Sequence, residues 1–168
     1  ARPPYQPVIF FPGGGVILEN KFTNSNCYPR VFDYIVKSNR VVVYPVFKGT
    51  FERKDALKSD QPDETVFYKD HVIMWRKDIG RTIDYLETRH DILADKVGYF
   101  GYSWGARLGG LFPAVEKRIK AVVLHVGGLK NIRSFPEVDP FNFLPRVYQP
   151  VLMLNGKYDA IFPPVLSQ

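Results

Sequence analysis

Lys96-Val97-Gly98-Tyr99-Phe100-Gly101-Tyr102-Ser103-Trp104-Gly105-Ala106-Arg107-Leu108 reads as a strand, a sharp turn and the opening of a helix. The run from Val97 to Phe100 is apolar without alternation, the pattern of a short strand buried on both faces. Gly101-Tyr102-Ser103-Trp104-Gly105 then has the form G-x-S-x-G, and Leu108, Leu111 and Phe112 continue as a helix predicted to start at Ser103 and stop before Pro113. A turn this tight forces the serine into a strained backbone angle, and glycines two before and two after leave room for the crossing strand and helix. Ser103 is therefore predicted to stand at the carboxyl edge of a sheet with its hydroxyl exposed. The helix N-terminus behind it favours an oxyanion.

Outward from this element, four more short apolar runs lie around Val8-Ile9-Phe10-Phe11, Val41-Val42-Val43-Tyr44, Ala121-Val122-Val123-Leu124-His125-Val126 and Val151-Leu152-Met153-Leu154. Each reads as a strand buried on both faces. Between them, Val72, Trp75, Ile79, Ile83 and Leu86 form one stripe of a helix over roughly 64–90, and Val31, Phe32, Ile35 and Val36 mark another over about 27–38. Strands alternating with helices predict an α/β fold, a doubly wound parallel sheet of about five strands with helices on both faces. At 168 residues the chain suits a single domain. The stretch 127–149, with three prolines and Phe135, Phe141 and Phe143, breaks the rhythm and is expected as an excursion over the carboxyl edge, either a plain connection or a substrate-contacting cap.

Composition removes several function classes. A chain 45% hydrophobic and 15% aromatic is too apolar for a disordered segment. Its 23 Lys and Arg exceed 17 Asp and Glu, but they are spread along the chain with no finger, arm or basic helix to focus them, so no nucleic-acid partner is expected. No apolar run reaches the roughly 18 residues that cross a bilayer, which predicts a soluble protein without a membrane partner and leaning toward the cytoplasm. The single cysteine, Cys27, excludes an internal disulfide, and no pair of histidines has metal-ligand spacing. No metal or cofactor is expected.

Acyl transfer at Ser103 needs donors for the developing oxyanion. One would be the N–H of Trp104, and the other an N–H from the loop after an earlier strand, where Pro12-Gly13-Gly14-Gly15 stands. Gly14 is the favoured donor and Gly15 the second; a phosphate cradle is the alternative use of such a loop. Gly156-Lys157-Tyr158-Asp159 follows the last strand, so Asp159 is the candidate acid, with a plain turn aspartate as its competitor. The histidines are His71 and His90, near the two ends of the long helix and expected in a surface or capping role, and His125, the one histidine placed on the side of the sheet where Ser103 stands but expected as a packed core side chain. All precede Asp159, whereas hydrolases of this chain order place the histidine last. Tyr102 and Trp104 suggest an apolar substrate pocket.

At these residues the sequence resembles the α/β-hydrolase superfamily, and more closely its dienelactone-hydrolase-like and acyl-peptidase-like esterases. The resemblance is carried by Tyr68 to Trp75, Gly101 to Gly105, Pro136 to Pro140 and Leu154 to Asp159, and it covers nearly the whole chain. It implies Ser103 as nucleophile, Asp159 as the acid that orients the base, Gly14 or Gly15 as oxyanion donor, and a small-molecule ester as substrate. It also implies a spatial strand order of second, first, third, fourth, fifth. Such esterases carry two strands before this region, and beyond the aspartate a helix, a strand and a histidine-bearing loop. The expectation is thus a domain incomplete at both ends and part of a longer polypeptide. A flavodoxin-like phosphate-binding module and a catalytically inactive interaction domain remain as alternatives.

Overall fold

The computed structural model describes residues 3–162. Five strands, β1 (Gln6–Phe11), β2 (Arg40–Val43), β3 (Val97–Tyr102), β4 (Ile119–His125) and β5 (Val151–Leu154), form one sheet in the order β2-β1-β3-β4-β5. Every neighbouring pair is parallel. The doubly wound α/β arrangement and the strand order therefore agree with expectation, and the reversal of direction between β1 and β3 puts the glycine loop after β1 beside the serine turn after β3.

The helices are α1 (Pro29–Lys37), α2 (Val66–Glu87), α3 (Trp104–Leu108) and α4 (Phe112–Val115). Helix α2 starts where the Thr65 hydroxyl accepts the Tyr68 N–H, and its stripe of Val72, Trp75, Ile79, Ile83 and Leu86 is buried as predicted. Together with Phe11, Tyr99, Trp104, Phe112, Val122 and Leu124 it builds the larger core on one face of the sheet. Each fully buried aliphatic side chain contributes about 1.5–3 kcal/mol. The opposite face holds a smaller cluster in which α1 sets Ile35 and Phe32 against Phe10 and Phe100.

Three expectations are corrected. The helix after Ser103 ends at Leu108 after five residues, and Pro113 sits inside the separate α4. Proline lacks an N–H to donate, but the first turn of a helix needs none from it. Strand β5 is not buried: Val151, Leu152, Met153 and Leu154 are all exposed. Leu152 and Leu154 lie in register with Val123 and His125 on the face that α1 leaves open, where a groove of about 430 Å³ is also lined by Ile35, Phe100 and Ala121. His71 is buried rather than superficial, its Nδ1 donating to the Phe67 carbonyl and its Nε2 facing the Asp55 carboxylate at 3.0 Å. In the stretch 127–149 the Lys130 ammonium donates to Gln61 and lies over Phe162, and Ile132, Arg133, Ser134 and Asp139 border Pro62 and Arg107. Val138 and Phe143 then run along α2 and α4, lining a groove with Val72, Leu111 and Val115.

Candidate active site

Ser103 has φ 50° and ψ −104°, a conformation that glycine adopts freely and serine does not. Two bonds impose it. The Ser103 N–H donates to the His125 carbonyl at 2.9 Å, extending the β4 ladder, and the Gly105 N–H donates to the Pro12 carbonyl at 3.0 Å, tying the new helix to the end of β1. The flanking glycines are a steric requirement. A Cβ on Gly101 would lie 2.5 Å from the Gly105 carbonyl carbon, and one on Gly105 would lie 2.8 Å from the Phe11 carbonyl carbon. The Tyr99 hydroxyl donates to the Gly105 carbonyl at 2.7 Å and holds the turn from below.

The glycine loop abuts this turn. A Cβ on Gly13 would stand 3.5 Å from that of Ser103 and 3.2 Å from the Tyr102 ring. Gly14 opens a short 3₁₀ turn (Gly14–Ile17) with extended Gly13 before it, so the N–H groups of Gly14 and Gly15 begin a helical turn and have no carbonyl behind them. Trp104 occupies the same position in α3. Three N–H groups without partners among the described residues thus lie on the two loops that meet where Gly13 abuts Ser103. Because α3 has only five residues, these N–H groups rather than a long helix dipole supply the local positive potential.

The Trp104 side chain does not wall a pocket, contrary to expectation. It is 0% exposed, packed edge-on against Phe11 and Trp75 at 4.8 and 4.6 Å. Its place is under the sheet because the first side chain of α3 points back into the core. The Tyr102 ring remains at the edge, 5.5 Å from Tyr28 and 5.4 Å from His125.

Asp159 follows β5, and β4 separates β5 from β3, so Ser103 and Asp159 stand on strand ends roughly 10 Å apart. The Asp159 Oδ1 accepts the N–H groups of Ile161 and Phe162 at 2.8 and 2.9 Å, which rigidifies the turn and directs the other oxygen elsewhere. Among the described residues no histidine ring is hydrogen-bonded to the side chain of Ser103 or of Asp159. The His125 ring packs on Tyr102 and Phe100, His71 is engaged with Asp55, and His90 is exposed beyond the end of α2.

Two residues passed over in the sequence also belong here. Arg107, only 3% exposed, donates from Nη2 to the Asp60 carbonyl at 2.8 Å and to the Tyr68 hydroxyl at 2.7 Å. Asp60 lies directly against Gly14. The available signal was an arginine at a core position of the serine helix, four residues after Ser103.

The dienelactone hydrolase family matches this sequence over residues 41–166, three quarters of the chain. The chain belongs to that family. Among solved structures, a protein assigned as a dienelactone hydrolase from Klebsiella pneumoniae is 17% identical with a TM-score of 0.66, over 99% of this chain and 66% of that one. Acetyl xylan esterase 1 from a Thermoanaerobacterium species gives 16% and 0.68 over 99% and 64%, and a lipase/esterase from Lactobacillus plantarum 14% and 0.61 over 98% and 72%. At these identities the likeness is one of fold. This member of the family spans just under two thirds of the length of the first two. No curated protein sequence matches it significantly. Among the described residues no helix is long and apolar enough to cross a membrane, and no group of three or more His, Cys, Asp and Glu could hold a metal ion.

Proposed function

We propose that this chain carries the nucleophile half of a serine hydrolase acting on carboxylic esters. The observation that carries the reading is the backbone of Ser103, held at φ 50° between two glycines that admit no side chain. Strain of this kind persists only where surrounding structure enforces it, and it serves to present a side chain. In this reading the Ser103 Oγ attacks the ester carbonyl carbon while its proton passes to a histidine. The tetrahedral oxyanion accepts hydrogen bonds from the N–H of Trp104 and from Gly14 or Gly15, the alcohol leaves with the proton, and water releases the acyl group by the reverse sequence. Asp159 orients the histidine ring.

In this reading the base is a histidine other than His71, His90 and His125, whose rings are engaged or placed elsewhere. Family membership favours this chemistry over a flavodoxin-like phosphate site. A catalytically inactive domain is the second reading, favoured by the placement of the three histidines. The experiment uses the full-length parent polypeptide. A fluorophosphonate probe should label Ser103, and Ser103→Ala should abolish both labelling and turnover of short p-nitrophenyl esters without unfolding the protein. Labelling that survives Ser103→Ala refutes the assignment, and a folded full-length protein that neither labels nor turns over identifies the inactive domain.

A further inference from the structure

The proposed reaction leaves the Asp60 carboxylate, which packs on the glycine loop, without a task. Asp60 sits on the loop preceding α2, and its carboxylate packs on the glycine loop so closely that a Cβ on Gly14 would lie 2.5 Å from its Cγ and 2.9 Å from its Cβ. Gly13, the preceding residue, is the one that abuts Ser103. Carboxylate and nucleophile therefore border the same two-residue stretch of backbone, within the span of a small substrate.

The placement of Asp60 is built into the serine helix. Its main-chain carbonyl is gripped by the buried Arg107 guanidinium, whose Nη2 is shared with the Tyr68 hydroxyl of α2. The Arg107 N–H in turn donates to the Ser103 carbonyl at 3.0 Å. One short helix thus positions both residues. Yet the arginine takes the carbonyl and not the carboxylate, which forms no hydrogen bond and no ion pair among the described residues. Lys130 lies within its field: burial pushes the Lys130 ammonium down, Asp60 pushes it up, Arg107 pushes it down, and its hydrogen bond goes to the Gln61 side chain at 3.0 Å.

A partly buried carboxylate with unfilled acceptor positions is costly unless a donor arrives. An anionic substrate group would meet like charge there, and a cationic one would meet the Lys130 ammonium. A hydroxyl suits both, because it donates to the carboxylate and accepts from the ammonium. We propose that Asp60 is a specificity-determining residue that accepts a hydrogen bond from a substrate hydroxyl close to the ester, so that the site selects esters of polyhydroxylated compounds. This rests on the ester reading of Ser103, but binding tests it without turnover.

Titration of the ¹⁵N-labelled chain with glycerol monoacetate and with butyl acetate, followed at the amides of Gly13, Gly14 and Asp60, gives the two affinities. The hydroxylated ester should bind more tightly. Asp60→Ala should weaken it about tenfold, the scale of a hydrogen bond to a charged group that is partly screened, while butyl acetate changes less than twofold. Asp60→Asn, which keeps shape and one acceptor oxygen, should fall between and preserve the spectrum if Asp60→Ala disturbs the fold. Equal weakening of both esters would mark a merely structural role and overturn the proposal, as would failure of the hydroxylated ester to bind or a preference indifferent to residue 60. If the preference depends on Asp60 while Ser103 is never labelled in the parent protein, the ester-hydrolysis reading falls and the recognition stands. Labelling without the preference has the reverse meaning.

Discussion

Ser103 is held in a backbone conformation that its own chemistry opposes, so its identity should trade against stability. Residues forced into such regions carry about 1–3 kcal/mol of strain, whereas glycine pays only the extra chain entropy of about 0.5–1 kcal/mol. Ser103→Gly should therefore raise the free energy of unfolding by about 1 kcal/mol in urea titration, and Ser103→Ala, which keeps the strain, should not. A destabilised Ser103→Gly variant would mean that the φ of 50° costs nothing here. At this scale the sequence was legible wherever a residue type answers to local backbone geometry, as Ser103, Gly101 and Gly105 do. It was not legible for Asp60 and Arg107, whose roles depend on a contact between residues 47 positions apart. Nor does G-x-S-x-G spacing reveal that the residue after the serine turns its ring inward, which misplaced Trp104.

Among the elements, α2 repaid its periodicity, and its one misread residue shows how. His71 lies three residues after Tyr68 and four before Trp75, both buried, so the stripe already contained it; reading the ring as polar assigned it to the surface. Its partner is the loop before α2. Burial pushes the Asp55 carboxyl up, and the Leu57 N–H, Lys48 and His71 outweigh this and bring it from 3.8 to about 2. A carboxyl lowered on folding stabilises fully above its unfolded value and loses that contribution as pH falls through the folded one. The Asp55–Lys48–His71 clamp should thus weaken between about pH 4 and pH 2. In urea titrations across that range, the wild-type midpoint should fall more steeply than that of Asp55→Asn, which has no such proton to gain. Parallel slopes would remove Asp55 from the acid response. Strand β5 failed for a different reason: an apolar run reports that a strand can be covered on both faces, not that the cover lies within the same 168 residues.

For the whole molecule, the same open face decides what the chain can do alone. Parallel strands need cover on both faces, and here α2, α3 and α4 complete one face while α1 covers β2, β1 and Phe100 of β3 on the other and leaves β5 open. The site is divided in the same way. Ser103 and the glycine loop stand above the covered part, Asp159 follows the exposed edge strand, and in the proposed triad the base bridges the two across the end of β4. His125 occupies that end, but its backbone serves Ser103 while its ring turns to Tyr102 and Phe100 on the open face. An acyl-transfer site without its base retains only about 10³–10⁴-fold catalysis over water from binding and oxyanion stabilisation. The 168-residue chain should accordingly hydrolyse p-nitrophenyl acetate at that residual level, and His125→Ala should leave the rate within twofold. A rate well above the residual level that drops tenfold or more in a folded His125→Ala variant would make His125 the base. The triad would then be assembled from β3, β4 and β5 within these residues, with no histidine needed from outside them.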